Sequence, residues 1–287
     1  MTASVRDVDD LRQRLRIPFS EEQIAAITAP FDQPQAIIAG AGSGKTTVMA
    51  ARVVWLVGHE GIDPDRVLGL TFTNKAAGEL GQRIGSNLGE LPWVRHAPDE
   101  PEPGQPTVST YHAFAGQLIS EFGLLRGIEP DLRVLADASR FQLAARAVTT
   151  FHGSIDALST YVPVIVTYLL ALEVQLAEHL VEPADLRAHD ARLISWLEPQ
   201  PVVRGALTGK IKDSALHAAR RRIELSHLVE RYRDVKTEAG VMDFSDQMRW
   251  GAELAAMPEV GADLRSRFDV VLLDEYQDTS VAQRDLL

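Results

Sequence analysis

A chain of 287 residues is long enough to bury a substantial core and to hold one large domain or two smaller ones. Its 45% hydrophobic and 24% charged content excludes collagen-like and disordered classes, and the absence of cysteine excludes a disulfide scaffold and any thiolate metal site, which favours a reducing, cytoplasmic compartment. A net charge of −11 argues against a nucleic-acid partner for the chain as a whole, but nine Lys or Arg from Arg204 to Lys236 stand against four acids, locally +5, a solvated helical face with room for a phosphate track.

In chain order, MTASVRDVDDLRQRLRIPFS is charged throughout and has no apolar signal-peptide core. SEEQIAAIT predicts a helix, with Ser20 as N-cap and Gln23 at the capping-box spacing. QAIIA, residues 35–39, predicts a short buried strand leading into a glycine loop and the helix KTTVMAARVVWLVG. RVLGLTF predicts a second strand and NKAAGELGQRIGSNL another helix. Strand and helix alternate, as in a parallel sheet with helices on its faces.

Residues 96–106, HAPDEPEPGQP, read as a solvent loop, followed by a third strand, TVST, and the helix YHAFAGQLISEFGLL. From about 122 to 238 the alternation stops. Amphipathic patterns such as ASRFQLAARAVTTF and LHAARRRIELSHLVERYRDVK predict an all-helical insertion. The apolar run YVPVIVTYLLALEV is too short to span a bilayer and reads as core, so no membrane partner is expected. FDVVLLDEYQDTS then restores a buried-strand signature. The expected α/β organisation is one sheet domain, 1–121 and 239–287, interrupted by a helical subdomain over 122–238.

The glycine loop reads as a phosphate cradle. Its end, Gly44, Lys45 and Thr46, matches the Walker A pattern, with Ala39 where the first glycine would stand. Gly40, Gly42 and Gly44 let the backbone amides of residues 39–47 (with Ala41, Ser43 and Thr47) turn inward around phosphates at the positive end of a helix. Lys45 suits the β and γ oxygens of ATP, and the Thr46 hydroxyl suits Mg²⁺. A tight strand-to-helix connection is the bland alternative. At the far strand end, Asp274 suits the same Mg²⁺ and Glu275 suits orienting and deprotonating an attacking water, where packing alone requires neither.

AGAGSGKTT, LTFTNKAAGEL, VSTYHAFAGQLI, VMDFSDQM and VVLLDEYQDTS, in that order, resemble motifs I, Ia, Ib, Id and II of UvrD/Rep-type superfamily 1A DNA helicases, and FSEEQIAAI resembles their Q motif. The matches run from Phe19 to Thr279. Motif wording and the FQLAAR segment also resemble actinobacterial AdnB-type helicase-nuclease subunits, which implies a partner helicase subunit in a heterodimer.

The resemblance implies a RecA-like P-loop domain with a 1B-like helical insertion, and a 3′ to 5′ ATP-dependent DNA helicase or translocase of repair or recombination. Its DNA is single-stranded, with single/double-strand junctions. It makes Gln23 the adenine selector, beside its helix-capping role. It lays Phe72, Thr73, Asn74, Tyr111 and His112 along single-stranded DNA, where an aromatic stacks on any base. The alternatives are core packing for Phe72 and a local hydrogen-bond partner for His112. Gln277, counted with the catalytic set, and Asp278 link the nucleotide site to the DNA-facing surface. Asp243 reads first as a helix N-cap with Asp246 in the first turn.

Two departures stand out. Thr47 occupies a place where many relatives carry an adenine-stacking arginine. The chain ends at VAQRDLL, before motif III, the second RecA-like domain and its arginine fingers, so the sequence reads as an incomplete motor with weak ATP turnover. The rival readings are a P-loop ATPase that does not act on DNA and a non-catalytic nucleotide-binding fragment.

Overall fold

The computed structural model describes residues 4–40, 42–91, 104–203 and 208–287. They form two compact units, 1–114 with 257–279 and 115–256 with 280–287.

The first unit holds a three-stranded parallel sheet of β1 (Val67–Thr71), β2 (Thr107–Thr110) and β5 (Val270–Leu273), in the order β2-β1-β5. Leu68 of β1 stands between Thr107 and Val271. Helices α1 (Val8–Leu15), α2 (Glu21–Thr28), α3 (Lys45–Gly58) and α4 (Asn74–Gly89) belong to this unit, with α11 (Pro258–Arg267) leading into β5. Every residue of α3 from Val48 to Gly58 is buried, as is all of β1. A helix apolar on all sides belongs in a core, and α3 fills that place.

The C-terminal turn of α2 is capped from α3. Buried Arg52 donates to the carbonyls of Ala26 (3.2 Å), Ile27 (2.9 Å) and Ala29 (2.9 Å), a cation at the negative helix end. Burial lowers the pKa of this guanidinium. The start of β5 is fixed against the start of β1 by Asp269, whose backbone N–H donates to the Arg66 carbonyl (2.9 Å) while its carboxylate takes both arms of the Arg66 guanidinium. Such a bidentate pair adds geometric specificity, and here it sets the register that carries Asp274 and Glu275 to the sheet's C-terminal end.

Two expectations require correction. Residues 34–40 form no strand, and Ile38 is 98% exposed. The apolar run has strand propensity, but a strand also needs a hydrogen-bonded neighbour. β2 and β5 are the sheet's edges among the described residues, and neither pairs with it. For the same reason β5 is only part-buried, with Val271 exposed. The acidic loop over 96–106 lies largely outside the described residues.

In the second unit, α6 (Asp137–Thr149), α7 (Val162–Glu178), α8 (Pro183–Leu197), α9 (Gly209–Glu238) and α10 (Phe244–Ala255) pack together, with α12 (Val281–Asp285) against α10. α5 (Tyr111–Phe122) begins in the first unit and continues in the second. The core joins Ala144 and Ala147 to Ile165 and Leu169 of α7 and to Leu228, Val229 and Tyr232 of α9. One face of YVPVIVTYLLALEV, with Ile165, Val166 and Leu169, is therefore core, while Tyr161 and Tyr168 are exposed, and no single helix among the described residues is long and apolar enough to cross a membrane. The region is not wholly helical: β3 (Arg133–Val134) pairs in parallel with β4 (Val241–Met242).

The basic tract is mostly consumed within its own unit. Arg222 forks onto buried Asp190, Arg220 pairs with Glu198, and Arg233 spans Glu173 and Glu182. Lys236 is 2% exposed among Asp246 (2.6 Å), Asp243 (3.1 Å) and Glu173 (3.6 Å). The room expected for a phosphate track on this face is correspondingly small.

Candidate nucleotide-binding site

The site is built where the glycine loop meets α2, α3 and the end of β5, all within the first unit. Gly42 (φ +76°) and Gly44 (φ +86°) take left-handed backbone that a side chain would strain, and they turn the loop into α3. Ser43 closes the turn, its N–H (3.3 Å) and hydroxyl (2.8 Å) both donating to the Gly40 carbonyl. Ala39, Gly40 and Ser43 are placed in this loop, whereas Ala41 lies outside the described residues.

Gln23 joins the loop to α2. Its Oε1 accepts from the Ser20 N–H (2.9 Å), and the Ser20 hydroxyl accepts from the Gln23 N–H (3.3 Å), completing the capping box. Its Nε2 donates to the Ser43 carbonyl (3.1 Å). An amide has two donors and two acceptor lone pairs, so one of each is left on Gln23 for a ligand beside the loop.

On the strand side, the Asp274 N–H donates to the Leu70 carbonyl (3.0 Å), extending the β1–β5 pairing by one residue. Glu275 follows with φ +51°, uncommon for a residue with a side chain and a form of strain that clusters at functional sites. This conformation brings Glu275 Oε1 to 3.7 Å from Lys45 Nζ. Gln277 Nε2 donates to the other carboxylate oxygen. The Gln277 hydrogen bond and, after it, the Lys45 charge hold the Glu275 pKa below the ordinary glutamate range.

The described residues contain no cluster of three metal-ligating side chains. Mg²⁺ at a phosphate site takes one or two carboxylates with substrate phosphates and water. The Thr46 hydroxyl and Asp274 are hard oxygen donors of the right kind.

The residues expected along DNA lie beyond β1. Phe72 is half-buried, and exposed Thr73 is the N-cap of α4, accepting from the Ala76 N–H (3.1 Å). Asn74 is exposed in the first turn of α4. Tyr111 is 1% exposed, with its ring 5.3 Å from that of Phe72 and its hydroxyl 3.5 Å from Thr279 Oγ1. It backs Phe72 and presents no face to solvent. His112 is half-buried, and burial lowers its pKa, favouring the neutral ring.

Residues 19–287 match the UvrD/REP helicase N-terminal domain model. The chain belongs to the UvrD/REP helicase family. Among relatives of this UvrD/REP domain, it is 29% identical over 255 residues to the ATP-dependent DNA helicase UvrD1 of Mycobacterium tuberculosis (strain ATCC 25618 / H37Rv), covering 87% of this chain and 27% of that protein. It is 25% identical over 265 residues to DNA helicase II of Haemophilus influenzae, covering 92% and 31%, and 24% identical over 265 residues to DNA helicase II of Escherichia coli (strain K12), covering 92% and 30%. The chain therefore spans about 30% of the length of these curated relatives.

Three features of the UvrD/REP site have no signal in the sequence: the Arg52 cap on α2, the Arg66–Asp269 pair, and Arg83 of α4, whose Nη1 donates to Thr47 Oγ1 at 2.5 Å. Each joins residues distant in the chain, so no local spacing announces it.

Proposed function

We propose that this chain is the first nucleotide-binding part of an ATP-driven DNA helicase or translocase of 3′ to 5′ polarity, working in DNA repair or recombination. The observation that carries the reading is the convergence of Lys45, at the start of α3, with Glu275, just beyond β5, beside a loop whose glycines take left-handed backbone. The named relatives, which are ATP-dependent DNA helicases and DNA helicases II, supply the substrate class.

In this reading residues 39–47 wrap the phosphates and Lys45 offsets the charge of the β and γ oxygens. Glu275, ionised over the working pH range, accepts the proton of the attacking water, while Gln277 fixes the orientation of its carboxylate. Thr46 and Asp274 would hold Mg²⁺, which when bound would supply positive charge to offset that of the phosphates. The spare donor and acceptor of Gln23 fit the edge of adenine.

Phe72, Thr73 and Asn74 form the edge offered to single-stranded DNA, with Tyr111 behind Phe72 and His112 neutral beside it. Residues 1–121 and 239–287 correspond to the RecA-like part and the helices within 122–238 to the 1B-like insertion. A partner helicase subunit and a cytoplasmic location complete the proposal.

The test is ATP turnover with and without single-stranded DNA, on this chain and on one extended to the length of its relatives. DNA-stimulated turnover in the extended chain, abolished by Lys45→Ala, is expected. Turnover indifferent to DNA would leave an ATPase whose work is something else.

A further inference from the structure

β1 and β2 run in parallel with Thr71 opposite Thr110, so Phe72 and Tyr111 are the first residues beyond the paired ends of two adjacent strands. Their rings lie 5.3 Å apart with an interplanar angle of 52°, within the range in which aromatic pairs attract beyond the area they bury. Phe72 is half-buried, whereas Tyr111 is enclosed.

At its other end Tyr111 meets a different element. Its hydroxyl lies 3.5 Å from Thr279 Oγ1, and Thr279 closes the short 3₁₀ turn Tyr276–Asp278, its N–H donating to the Tyr276 carbonyl (3.1 Å). That turn is tied back to Glu275: the Asp278 N–H donates to the Glu275 carbonyl (3.0 Å), and Gln277 Nε2 donates to the Glu275 carboxylate. One buried side chain thus touches both the ring beyond β1 and the turn that follows the acid opposite Lys45.

β1 and β5 are locked together as far as the Asp274 N–H on the Leu70 carbonyl. Relative motion therefore begins beyond the ladder, at Phe72 on one side and at residues 275–279 on the other. Tyr111 spans the two. An enclosed ring in a close-packed interior has no void to yield into, so a displacement imposed on one edge appears at the other. A hydroxyl contact of 3.5 Å stands at the long limit of hydrogen bonding, where a small shift makes or breaks it. Burial is the largest influence on this hydroxyl and raises its pKa, so it keeps its proton and can donate to Thr279.

We propose that Tyr111 is a positioning residue that couples single-stranded DNA to the nucleotide site: its ring follows Phe72, and its hydroxyl sets Thr279 and, through the 3₁₀ turn, Glu275. This rests on the reading above, with DNA at Phe72 and phosphates at Lys45. A base stacked on Phe72 shifts its ring against Tyr111, and the shift reaches the acid through Thr279. Linkage makes the effect reciprocal, so a nucleotide that displaces Glu275 from Lys45 must change the affinity for DNA by the same factor.

The experiment is fluorescence anisotropy of a fluorescein-labelled oligothymidylate with this chain at fixed salt, with and without saturating AMP-PNP and Mg²⁺, whose own binding is followed by calorimetry. The readout is the ratio of the two DNA affinities, which a change in either binding alone does not move. In the parent the two affinities are expected to differ about fivefold or more. Tyr111→Phe keeps the ring and removes the hydroxyl, and it should bring the ratio close to one. Thr279→Val should do the same, while Thr279→Ser, which keeps the hydroxyl, should preserve the parent's ratio. Because the two hydroxyls act as one contact, Tyr111→Phe combined with Thr279→Val should do no more than either alone.

If both ligands bind but Tyr111→Phe keeps the parent's ratio, or the parent's ratio is itself one, the binding reading stands and the role of Tyr111 is overturned. If the parent binds no oligothymidylate, or Lys45→Ala binds AMP-PNP as the parent does, the reading beneath falls and takes the Tyr111 proposal with it.

Discussion

Lys45 Nζ lies 3.7 Å from Glu275 Oε1, so the cation that opens α3 and the carboxylate that follows β5 form an ion pair. A polyphosphate entering the loop competes with Glu275 for Lys45. Glu275→Gln is therefore expected to tighten mant-ATP binding about two- to fivefold, in line with the modest strength of exposed ion pairs, while suppressing turnover. Lys45→Ala is expected to weaken binding roughly ten- to hundredfold, the loss of a charge-assisted contact. Equal affinity of Glu275→Gln and parent would defeat the competition argument.

Gln277 and Lys45 act on Glu275 in the same direction, because both favour the charged form and lower its pKa. Gln277 is the larger influence. In Gln277→Ala the Glu275 pKa should rise toward the ordinary glutamate value, so the carboxylate gains its proton at higher pH than in the parent. Carboxyl ¹³C chemical shifts followed through a pH titration read this directly. The acidic limb of turnover in an extended chain should move upward with it. An unmoved midpoint would remove Gln277 from the account.

Features carried by local spacing were legible in the sequence. Ser20 and Gln23, and likewise Asp243 and Asp246, form their capping boxes because a helix start is governed by groups three residues apart. The buried β1 and α3 follow from apolar runs that have no polar face to expose. What failed depended on distant partners. QAIIA has the composition of a strand, yet Ile38 stands in solvent because no described edge pairs with it. Lys236 reads as part of a solvated basic face, but the fold turns it inward against acids from α7 and the start of α10. Arg83 sits in an ordinary helical pattern, and only the packing of α4 beside α3 brings it to Thr47.

The two partners in the first capping box separate stability from recognition. The Ser20 hydroxyl serves only α2, whereas the Gln23 amide serves α2, the loop carbonyl of Ser43 and, as proposed, the base. Ser20→Ala should cost about 1 kcal/mol of stability, the usual loss of an N-cap, and leave the preference for mant-ATP over mant-GTP unchanged. Gln23→Ala should cost a similar amount and also abolish that preference. Thermal unfolding and paired titrations check both, and a preference that survives Gln23→Ala would leave Gln23 a capping residue alone.

The strongest stability effect is expected at Lys236. Its Nζ is the cation shared by Asp246, Asp243 and Glu173, all nearly or fully buried, and Asp243 also accepts from the Tyr232 hydroxyl (3.0 Å). Removing one member of a buried ion cluster leaves uncompensated charge and costs about 3–5 kcal/mol. Lys236→Met should therefore lower stability by that amount at neutral pH, measured by urea unfolding. The pH dependence has a definite sign. Burial works to raise the Asp243 pKa, but Lys236 and the Asp246 backbone N–H hold it below the ordinary value, so the stability it contributes is present above its unfolded pKa and lost as pH falls through the folded one. Burial outweighs Lys236 and Arg233 at Glu173 and raises its pKa, so its contribution is full at low pH and declines as pH rises through the folded value. In Lys236→Met the Asp243 and Glu173 carboxylates lose a cation that lowers their pKa and take up protons more readily, so the deficit against the parent should be widest near neutrality and shrink below about pH 4. A deficit constant from pH 4 to 7 would mean that Lys236 contributes through packing and not through charge.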